Sequence, residues 1–171
     1  MTVRPATDQD IPAITAIYNE VVANSNAVWT ERLDTEAERL AWMVARRALD
    51  YPVLVATAGS DVVGYGALGD FRAWPGYRYS VEHSVHIHAG HRGRGLGRII
   101  LDELVPAATA LGKHMLIAGI DGGNAASIRL HQQAGFLEVA RMPEIGRKFG
   151  RWLDLVFMQR VLDRPGATRP D

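Results

Sequence analysis

The feature that most constrains this chain is a predicted strand that leads through a glycine- and arginine-rich turn into a helix. Residues 81–88 alternate in character, which predicts a strand whose odd- and even-numbered residues lie on opposite faces. From Leu96 onward the apolar residues recur every three or four positions, as on one side of a helix. The start of a helix offers unpaired N–H groups and a positive dipole end, and glycines let a ligand approach the backbone. Residues 91–98 are therefore predicted to bind phosphate.

Three phosphate-binding patterns can be compared with this turn. The Walker loop is excluded, because Gly-Lys followed by Ser or Thr is absent. The dinucleotide pattern G-x-G-x-x-G fails, because Arg98 stands where its last glycine belongs and the later acidic residue is missing. The pattern R-x-x-G-x-G is matched by Arg92, Gly95 and Gly97.

Charge and cysteine content exclude several classes of function. The formal net charge of the 171 residues is zero, whereas a nucleic-acid-binding domain normally carries a basic excess. The local basic cluster then indicates a small anionic ligand, and we expect no nucleic-acid partner. Without cysteine, a disulfide, a thiol nucleophile and a cysteine zinc site are all impossible. We see no apolar segment typical of a signal peptide or membrane span, and expect a cytoplasmic protein without a membrane partner.

The remaining pattern predicts one alternating α/β domain over residues 1–162, followed by a disordered tail at residues 163–171. Thr35 and Glu38 form a capping box before the second helix. Pro106 is expected to kink the third long helix, and residues 142–150 are expected to form a loop. The first predicted helix is capped by Thr7 and runs to about Val22. The other predicted helices cover residues 35–49, 97–111 and 125–134. The predicted strands cover residues 2–5, 51–58, 62–71, 81–88, 115–120 and 151–161, with a further strand after Gly135.

The R-x-x-G-x-G turn resembles the coenzyme A pyrophosphate loop of the GNAT acyltransferase superfamily. The order of predicted elements resembles the GNAT fold along nearly the whole chain, and residues 124–136 resemble the helix that lies beside the pantetheine arm. The chain is therefore identified as a member of this superfamily. The resemblance implies the acyl-CoA N-acyltransferase fold, of α/β (α+β) class with a mixed central sheet flanked by helices, and acetyl-CoA as co-substrate.

A narrower resemblance concerns the acceptor. Residues 80–85, 129–131 and 148–154 are similar to the phosphinothricin acetyltransferase family, whose members acetylate the α-amino group of glutamate or methionine analogues. The resemblance covers residues 3–162, and it implies a small amino-acid analogue as acceptor and a homodimer. His131 departs from the wider superfamily, which often has tyrosine at this position.

Two residues are candidates for proton transfer. Glu82 precedes the coenzyme-binding part of the strand and is the candidate base, since an α-amino group is largely protonated at neutral pH. The alternative is a strand-end glutamate in a surface ion pair. His131 is the candidate acid for the leaving thiolate, because the pKa of histidine lies near neutrality. The alternative is a buried packing histidine.

The other site residues are candidates for binding. Arg78 suits a substrate carboxylate because its planar fork pairs with two oxygens. Arg72 is either a second carboxylate ligand or a solvated charge, and Trp29 either packs or lines a pocket. His86 and His88 share a face, but two histidines supply too few ligands for a zinc site, so no metal is expected. The remaining substrate candidates are Trp74, Tyr77, Lys148 and Phe149. The coenzyme candidates are Val85, His86, Ile87, Arg92, Gly93, Arg94, Gly95, Leu96, Gly97, Arg98, Asn124 and Ser127.

These expectations converge on one function. The chain is interpreted as an acetyl-CoA-dependent N-acetyltransferase that acts on the α-amino group of phosphinothricin, methionine sulfoximine, methionine sulfone or a similar analogue. Two alternatives stay open at this stage. One is a GNAT enzyme that acetylates a protein N-terminus or a lysine, and the other is a non-catalytic acyl-CoA-binding sensor.

Overall fold

A computed structural model describes residues 1–162; the predicted tail at residues 163–171 lies outside the described residues. Within residues 1–162, four α-helices and seven strands follow one another in the order β1-α1-α2-β2-β3-β4-α3-β5-α4-β6-β7. The helices are α1 (Ile11–Asn24), α2 (Glu36–Arg47), α3 (Leu96–Ala110) and α4 (Ala125–Gln133). The strands are β1 (Thr2–Pro5), β2 (Val53–Ala58), β3 (Asp61–Asp70), β4 (Ser80–Ile87), β5 (Met115–Asp121), β6 (Leu137–Lys148) and β7 (Arg151–Val161).

The strands form one mixed sheet in the order β1-β2-β3-β4-β5-β7-β6. All neighbours are antiparallel except β4 and β5. One hydrophobic core lies between the sheet and α3, and a second lies between the sheet and the α1–α2 pair. The mixed sheet flanked by helices confirms the predicted fold class. The predicted capping box of α2 is present, with the Glu38 carboxylate accepting from the Thr35 N–H at 2.7 Å.

The two faces of β4 separate as its alternating sequence predicts. Val81 is fully buried in the core beneath α3, and the His83 ring meets His131 of α4. The His86 ring lies on the other face, where it contacts Tyr65 and Tyr18 at centroid distances of 5.2 and 6.4 Å. The strand at the centre of the sheet therefore presents different residues to the two helical layers.

The pairing of β4 with β5 is short. Ser80, Val81 and Glu82 pair with Met115, Leu116 and Ile117, and no later pair of these two strands follows within residues 1–162. Beyond Glu82 the strands part, so backbone groups on the β5 side of β4 have no strand partner. A cleft opens at the point where Glu82 stands.

The close approach of α3 to the sheet depends on glycine in β3. A Cβ at Gly66 would lie 2.5 Å from the Ile100 side chain, and one at Gly64 would lie 2.6 Å from Ile87. Glycine at these positions thus permits a close approach to the backbone of β3. The helix that follows the glycine-rich turn therefore lies directly on the central strands.

The predicted loop at residues 142–150 is wrong. These residues continue β6 as far as Lys148, and the register against β7 shifts between Met142 and Gly146. Pro143 and Gly146 suggest a break, but β6 is an edge strand and a bulge accommodates both. Phe149 and Gly150, both at positive φ (49° and 72°), form the tight connection to β7.

Candidate active site

A cleft of about 790 Å³ occupies the gap between β4 and β5. A smaller pocket of about 240 Å³ adjoins it, and Glu82 lines both cavities. The cleft is bounded by the end of β4, the glycine-rich turn, the start of α4 and the segment after α1. The smaller pocket is lined by Ala27, Trp29, Arg72, Glu82, Gly119, Asp121, Leu155 and Phe157. We call this second cavity the acceptor pocket.

The glycine-rich turn has the backbone geometry that a phosphate ligand needs. Gly93 and Gly95 have φ of 74° and 78°, and nothing lies within 4 Å of a Cβ built on either residue. Gly95 precedes α3, and no side chain caps that helix. The N–H groups of the first turn therefore face the cleft without a side-chain acceptor, and the 15-residue helix adds its positive dipole end. This geometry fits the pyrophosphate of coenzyme A.

The three arginines of this turn differ in their contacts. Arg92 donates to the Ile87 carbonyl at 3.1 Å and forms an ion pair with Glu20 of α1. Arg98 donates to Asp102 at 2.8 Å and to the Gln133 carbonyl at 2.9 Å. Arg94 is exposed and makes neither a hydrogen bond nor an ion pair with any residue of the described range. Arg92 and Arg98 thus stabilise the turn through their contacts. Among the three arginines, Arg94 is the one that has no ionic partner within residues 1–162.

Asn124 and Ser127 are both predicted to bind the coenzyme. They lie at the start of α4 and line the cleft. The Asn124 side-chain oxygen accepts from the Ser127 N–H at 3.0 Å and so caps the helix. Gly97 serves the packing of the same helix, because a Cβ there would lie 2.9 Å from Leu130. The predicted coenzyme residues at the two helix starts therefore lie side by side.

Glu82 is held between the cleft and the acceptor pocket. A Cβ at position 119 would lie 2.9 Å from its Oε1, so the carboxylate occupies the space that Gly119 leaves open. Burial raises the pKa of Glu82, although the positive charge of Arg72 and the backbone of Gly119 oppose that rise. No ion pair with Glu82 forms among residues 1–162, so it is not a glutamate in a surface ion pair. A raised pKa suits a group that must accept a proton near neutral pH.

His131 is buried and is paired with a second histidine. Its Nδ1–H donates to the Ser127 carbonyl at 2.7 Å, and its Nε2 lies 2.9 Å from Nε2 of His83. Because the Ser127 carbonyl only accepts, we assign the His131 proton to Nδ1; its Nε2 then accepts from His83. The proton sits on the carbonyl side of the ring in this arrangement.

The environment of His131 differs from the one on which the proposed acid role was based. Burial lowers the pKa of His131, and burial and the nearby His131 lower that of His83 to about 3. Both rings are therefore neutral at pH 7, and His131 does not start as an imidazolium. A proton-donating role for His131 stays a prediction, and any proton it gave would come from a neutral ring.

The loop between β3 and β4 brings only part of the predicted acceptor set to the pocket. Arg72 lines it, whereas Trp74 and Tyr77 are 76% and 44% exposed and lie outside the lining residues of the described chain. The Arg78 guanidinium stacks on Tyr79 at 4.5 Å and donates to the Pro75 carbonyl at 3.2 Å. Arg72, not Arg78, is therefore the guanidinium beside Glu82.

Lys148 and Phe149 lie behind the pocket, not in it. Lys148 is 2% exposed, and its ammonium donates to the carbonyl oxygens of Val22, Ser25 and Val28. The Phe149 N–H donates to the Glu31 carboxylate at 3.0 Å. Neither side chain is among the lining residues of the acceptor pocket within the described range.

Several pocket residues were not predicted. Gly119 and Asp121 stand two positions apart on one face of β5, next to the Glu82 carboxylate. Leu155 and Phe157 repeat the same spacing on β7. The alternation of these strands was visible in the sequence, but the order of strands in the sheet was needed to bring the two faces together.

Comparison with known proteins shows the family to which the chain belongs. Residues 14–136 match the model of the acetyltransferase (GNAT) family. The chain belongs to the GNAT acetyltransferase family, and it is an N-acetyltransferase that uses acetyl-CoA as co-substrate. No helix within residues 1–162 has the length and apolar character to cross a membrane. In the same range, no three histidine or acidic side chains converge as metal ligands.

Individual relatives are similar over nearly their whole length. An L-methionine sulfoximine/L-methionine sulfone acetyltransferase of Salmonella typhimurium is 51% identical over 98% of both chains. An L-amino acid N-acyltransferase of Escherichia coli is 46% identical over 100% of this chain and 98% of its own. A GNAT phosphinothricin acetyltransferase from Sinorhizobium meliloti, solved with acetyl-CoA, superposes with a TM-score of 0.94 at 40% identity. That alignment covers 99% of this chain and 92% of the solved one.

Proposed function

We propose that this enzyme acetylates the α-amino group of a small amino-acid analogue of the methionine sulfoximine, methionine sulfone or phosphinothricin type. The observation that carries the proposal is the acceptor pocket, where Glu82, Asp121 and Arg72 face a cavity of about 240 Å³. A zwitterionic amino acid presents one ammonium group and one carboxylate, which complement these charges. Trp29, Leu155 and Phe157 supply the apolar wall for its side chain.

The names of the relatives support the same acceptor class. The Salmonella and Escherichia coli proteins are named for amino acids or their sulfoximine and sulfone analogues. The acceptor pocket is also small, which favours a free amino acid over a protein N-terminus or a lysine in a folded substrate. The charge and size of the acceptor pocket and the similarity to these relatives therefore all favour a free amino acid as acceptor.

In the proposed reaction Glu82 accepts the proton of the acceptor ammonium, directly or through one water molecule. The free amine attacks the thioester carbonyl of acetyl-CoA, the new N–C bond forms, the C–S bond breaks, and coenzyme A leaves as a thiolate that takes up a proton from His131 or water. The unpaired backbone of β4 beyond Glu82 binds the pantetheine arm and polarises the carbonyl in this scheme. Val85 and Ile87 provide these N–H groups, because alternate residues of β4 face the cleft, and they act as an oxyanion hole would. The glycine-rich turn binds the pyrophosphate, and Arg72 orients the acceptor carboxylate.

A screen of coenzyme A release tests the proposal. The purified chain is assayed with amino acids, their sulfoximine, sulfone and phosphinate analogues, simple amines, and peptides with free N-termini or lysines. We expect turnover with the amino-acid analogues and weak turnover with amines that lack a carboxylate. Turnover restricted to peptides would support the protein-acetylating alternative. Coenzyme binding without turnover of any amine would support the sensor alternative.

We also propose a cytoplasmic homodimer. The edge strand β6 is exposed along most of its length, and its apolar residues Leu137, Val139 and Ile145 are 71%, 51% and 51% exposed. Trp152, at the start of β7, is 61% exposed beside them. An exposed apolar edge strand favours pairing with another chain. Sedimentation velocity would show a dimer that dissociates when Val139 is changed to Lys; a monomer at assay concentrations would contradict this proposal.

A further inference from the structure

The strongest feature outside the reacting groups is the buried ammonium of Lys148. Its Nζ donates to the carbonyls of Val22, Ser25 and Val28 at 2.6, 2.6 and 2.7 Å. An ammonium has three N–H donors, so all of its donors are used. The carbonyls belong to the last turn of α1 and the segment after it, where the helix dipole favours a cation. One side chain of β6 thus binds three backbone carbonyls at the end of α1 and in the segment that follows it.

Two further contacts hold the same segment. The Phe149 N–H donates to the Glu31 carboxylate at 3.0 Å. A Cβ at Gly146 would lie 2.2 Å from the Trp29 ring, so the indole packs directly on the backbone of β6. The Trp29 Nε1–H donates in turn to the Asn26 carbonyl at 2.9 Å. The β6–β7 hairpin therefore contacts the segment of residues 22–31 at its beginning, its middle and its end.

This segment carries part of the acceptor pocket. Ala27 and Trp29 both line the pocket, together with Glu82. Their backbone has no helix or strand of its own to fix it, since residues 25–35 lie outside both kinds of element. The position of Trp29 relative to Glu82 is consequently set by what holds residues 22–31 from outside.

We propose that the β6–β7 hairpin positions the Trp29 wall of the acceptor pocket, with Lys148 as the positioning residue and Trp29 as a residue that determines acceptor specificity. The proposal rests on the function proposed above, in which this pocket receives the amino acid. Lys148 touches no substrate in this scheme; it acts through the carbonyls that it binds. A buried apolar side chain would avoid the cost of burying a charge, but it could not bind three carbonyls.

The first test uses Gly146→Ala, which keeps the hairpin and the Lys148 cage but forces the indole to move. We expect the KM for the amino acid to rise about tenfold, while the KM for acetyl-CoA changes less than about twofold. Gly90→Ala is the matched control, because the nearest atom to its Cβ is 3.5 Å away, an ordinary contact. An unchanged amino-acid KM in Gly146→Ala would overturn the proposal.

A double-mutant cycle then separates positioning from general destabilisation. If Gly146→Ala acts through the indole, it should add little to the amino-acid KM in a Trp29→Ala background. Fully additive effects on KM would show that the glycine acts elsewhere. Lys148→Met should shift the preference among acceptors of different size in the same direction as Trp29→Ala, and an unshifted preference in folded Lys148→Met protein would contradict its positioning role.

A fluorescence measurement tests the position of Trp29 without depending on turnover of an amino acid. If the wild-type enzyme acetylates no amino acid, the proposed function has failed. Acrylamide quenching of Trp29, taken as the difference between each protein and its Trp29→Phe counterpart, still reports how the indole is held. We expect Lys148→Met and Gly146→Ala to increase quenching, and Gly90→Ala to leave it unchanged. Equal quenching in all four proteins, wild type included, would overturn the positioning claim.

Discussion

The coenzyme side and the acceptor side of the active site are built in different ways. The proposed pyrophosphate-binding part of the coenzyme side comes from one continuous stretch, residues 92–98, at the junction of β4 and α3. The acceptor pocket draws on five separate segments: the chain after α1, the β3–β4 loop and the strands β4, β5 and β7. A ligand that binds backbone N–H groups needs a local conformation. A ligand that is recognised by side chains needs a tertiary assembly.

The electrostatics of the two sides differ as well. The arginines of the coenzyme side are exposed, and two of them are engaged in ion pairs on the surface. Glu82 on the acceptor side is partly buried, and burial raises its pKa. Salt should therefore affect the coenzyme side, and pH should affect the acceptor side. Four variants test this contrast, in order of decreasing expected effect.

Glu82→Gln should have the largest effect. The amide keeps the shape of the side chain but accepts no proton, so we expect kcat to fall about 10²- to 10⁴-fold. Affinity for acetyl-CoA, measured by isothermal titration, should be nearly unchanged, because the loss is confined to the acceptor side. Near wild-type turnover across neutral pH would exclude Glu82 as the base.

Arg72→Gln should change both affinity and pH dependence. Loss of a charge-assisted contact with the acceptor carboxylate should lower kcat/KM about tenfold. The base acts as a carboxylate, so kcat/KM falls as pH falls through the pKa of Glu82. Arg72 opposes the rise of that pKa, and its removal should raise the pKa further.

The acidic limb of the pH profile should accordingly move to higher pH in Arg72→Gln. Arg78→Gln is the matched control, because Arg78 stacks on Tyr79 outside the pocket. Profiles of kcat/KM for both variants provide the measurement. An identical acidic limb in Arg72→Gln and wild type would argue against electrostatic coupling of Arg72 to the base.

Gly95→Ala tests the coenzyme side through its backbone. At φ of 78° an alanine is strained, which costs about 1 kcal/mol and should raise the KM for acetyl-CoA about fivefold. Gly59→Ala carries the same kind of strain at φ of 63°, in the turn between β2 and β3. It should lower Tm without changing either KM. Equal effects on the acetyl-CoA KM in both variants would show that the strain acts only through stability.

Arg94→Gln should have the smallest effect. This exposed guanidinium forms no hydrogen bond or ion pair within residues 1–162. Its contact with phosphate should stabilise coenzyme binding by less than about 1 kcal/mol. We expect the KM for acetyl-CoA to rise about two- to threefold at low salt, and the difference from wild type to vanish near 1 M NaCl. A difference that persists at high salt would indicate a direct, desolvated contact instead of a screened one.

The contrast between local and tertiary features also separates the predictions from sequence that succeeded from those that failed. The alternation of β4, the start of α3 and the Thr35–Glu38 capping box of α2 each depend on residues within a few positions of one another. The β6 extension was missed because Pro143 and Gly146 suggest a loop when their pairing with β7 is unknown. Arg78, Trp74 and Tyr77 were placed in the acceptor set by residue type alone, which says nothing about the side of the loop that faces the pocket.

By itself, the sequence determined the fold class and the family, because local periodicity and short motifs indicate both. Tertiary structure decided that Gly119 leaves room for the Glu82 carboxylate, that two buried histidines are hydrogen-bonded to each other, and that Lys148 holds the Trp29 segment. Those contacts join residues that are 37, 48 and 126 positions apart along the chain. Burial and charge at such contacts depend on which strands become neighbours, and that is settled only when the sheet forms.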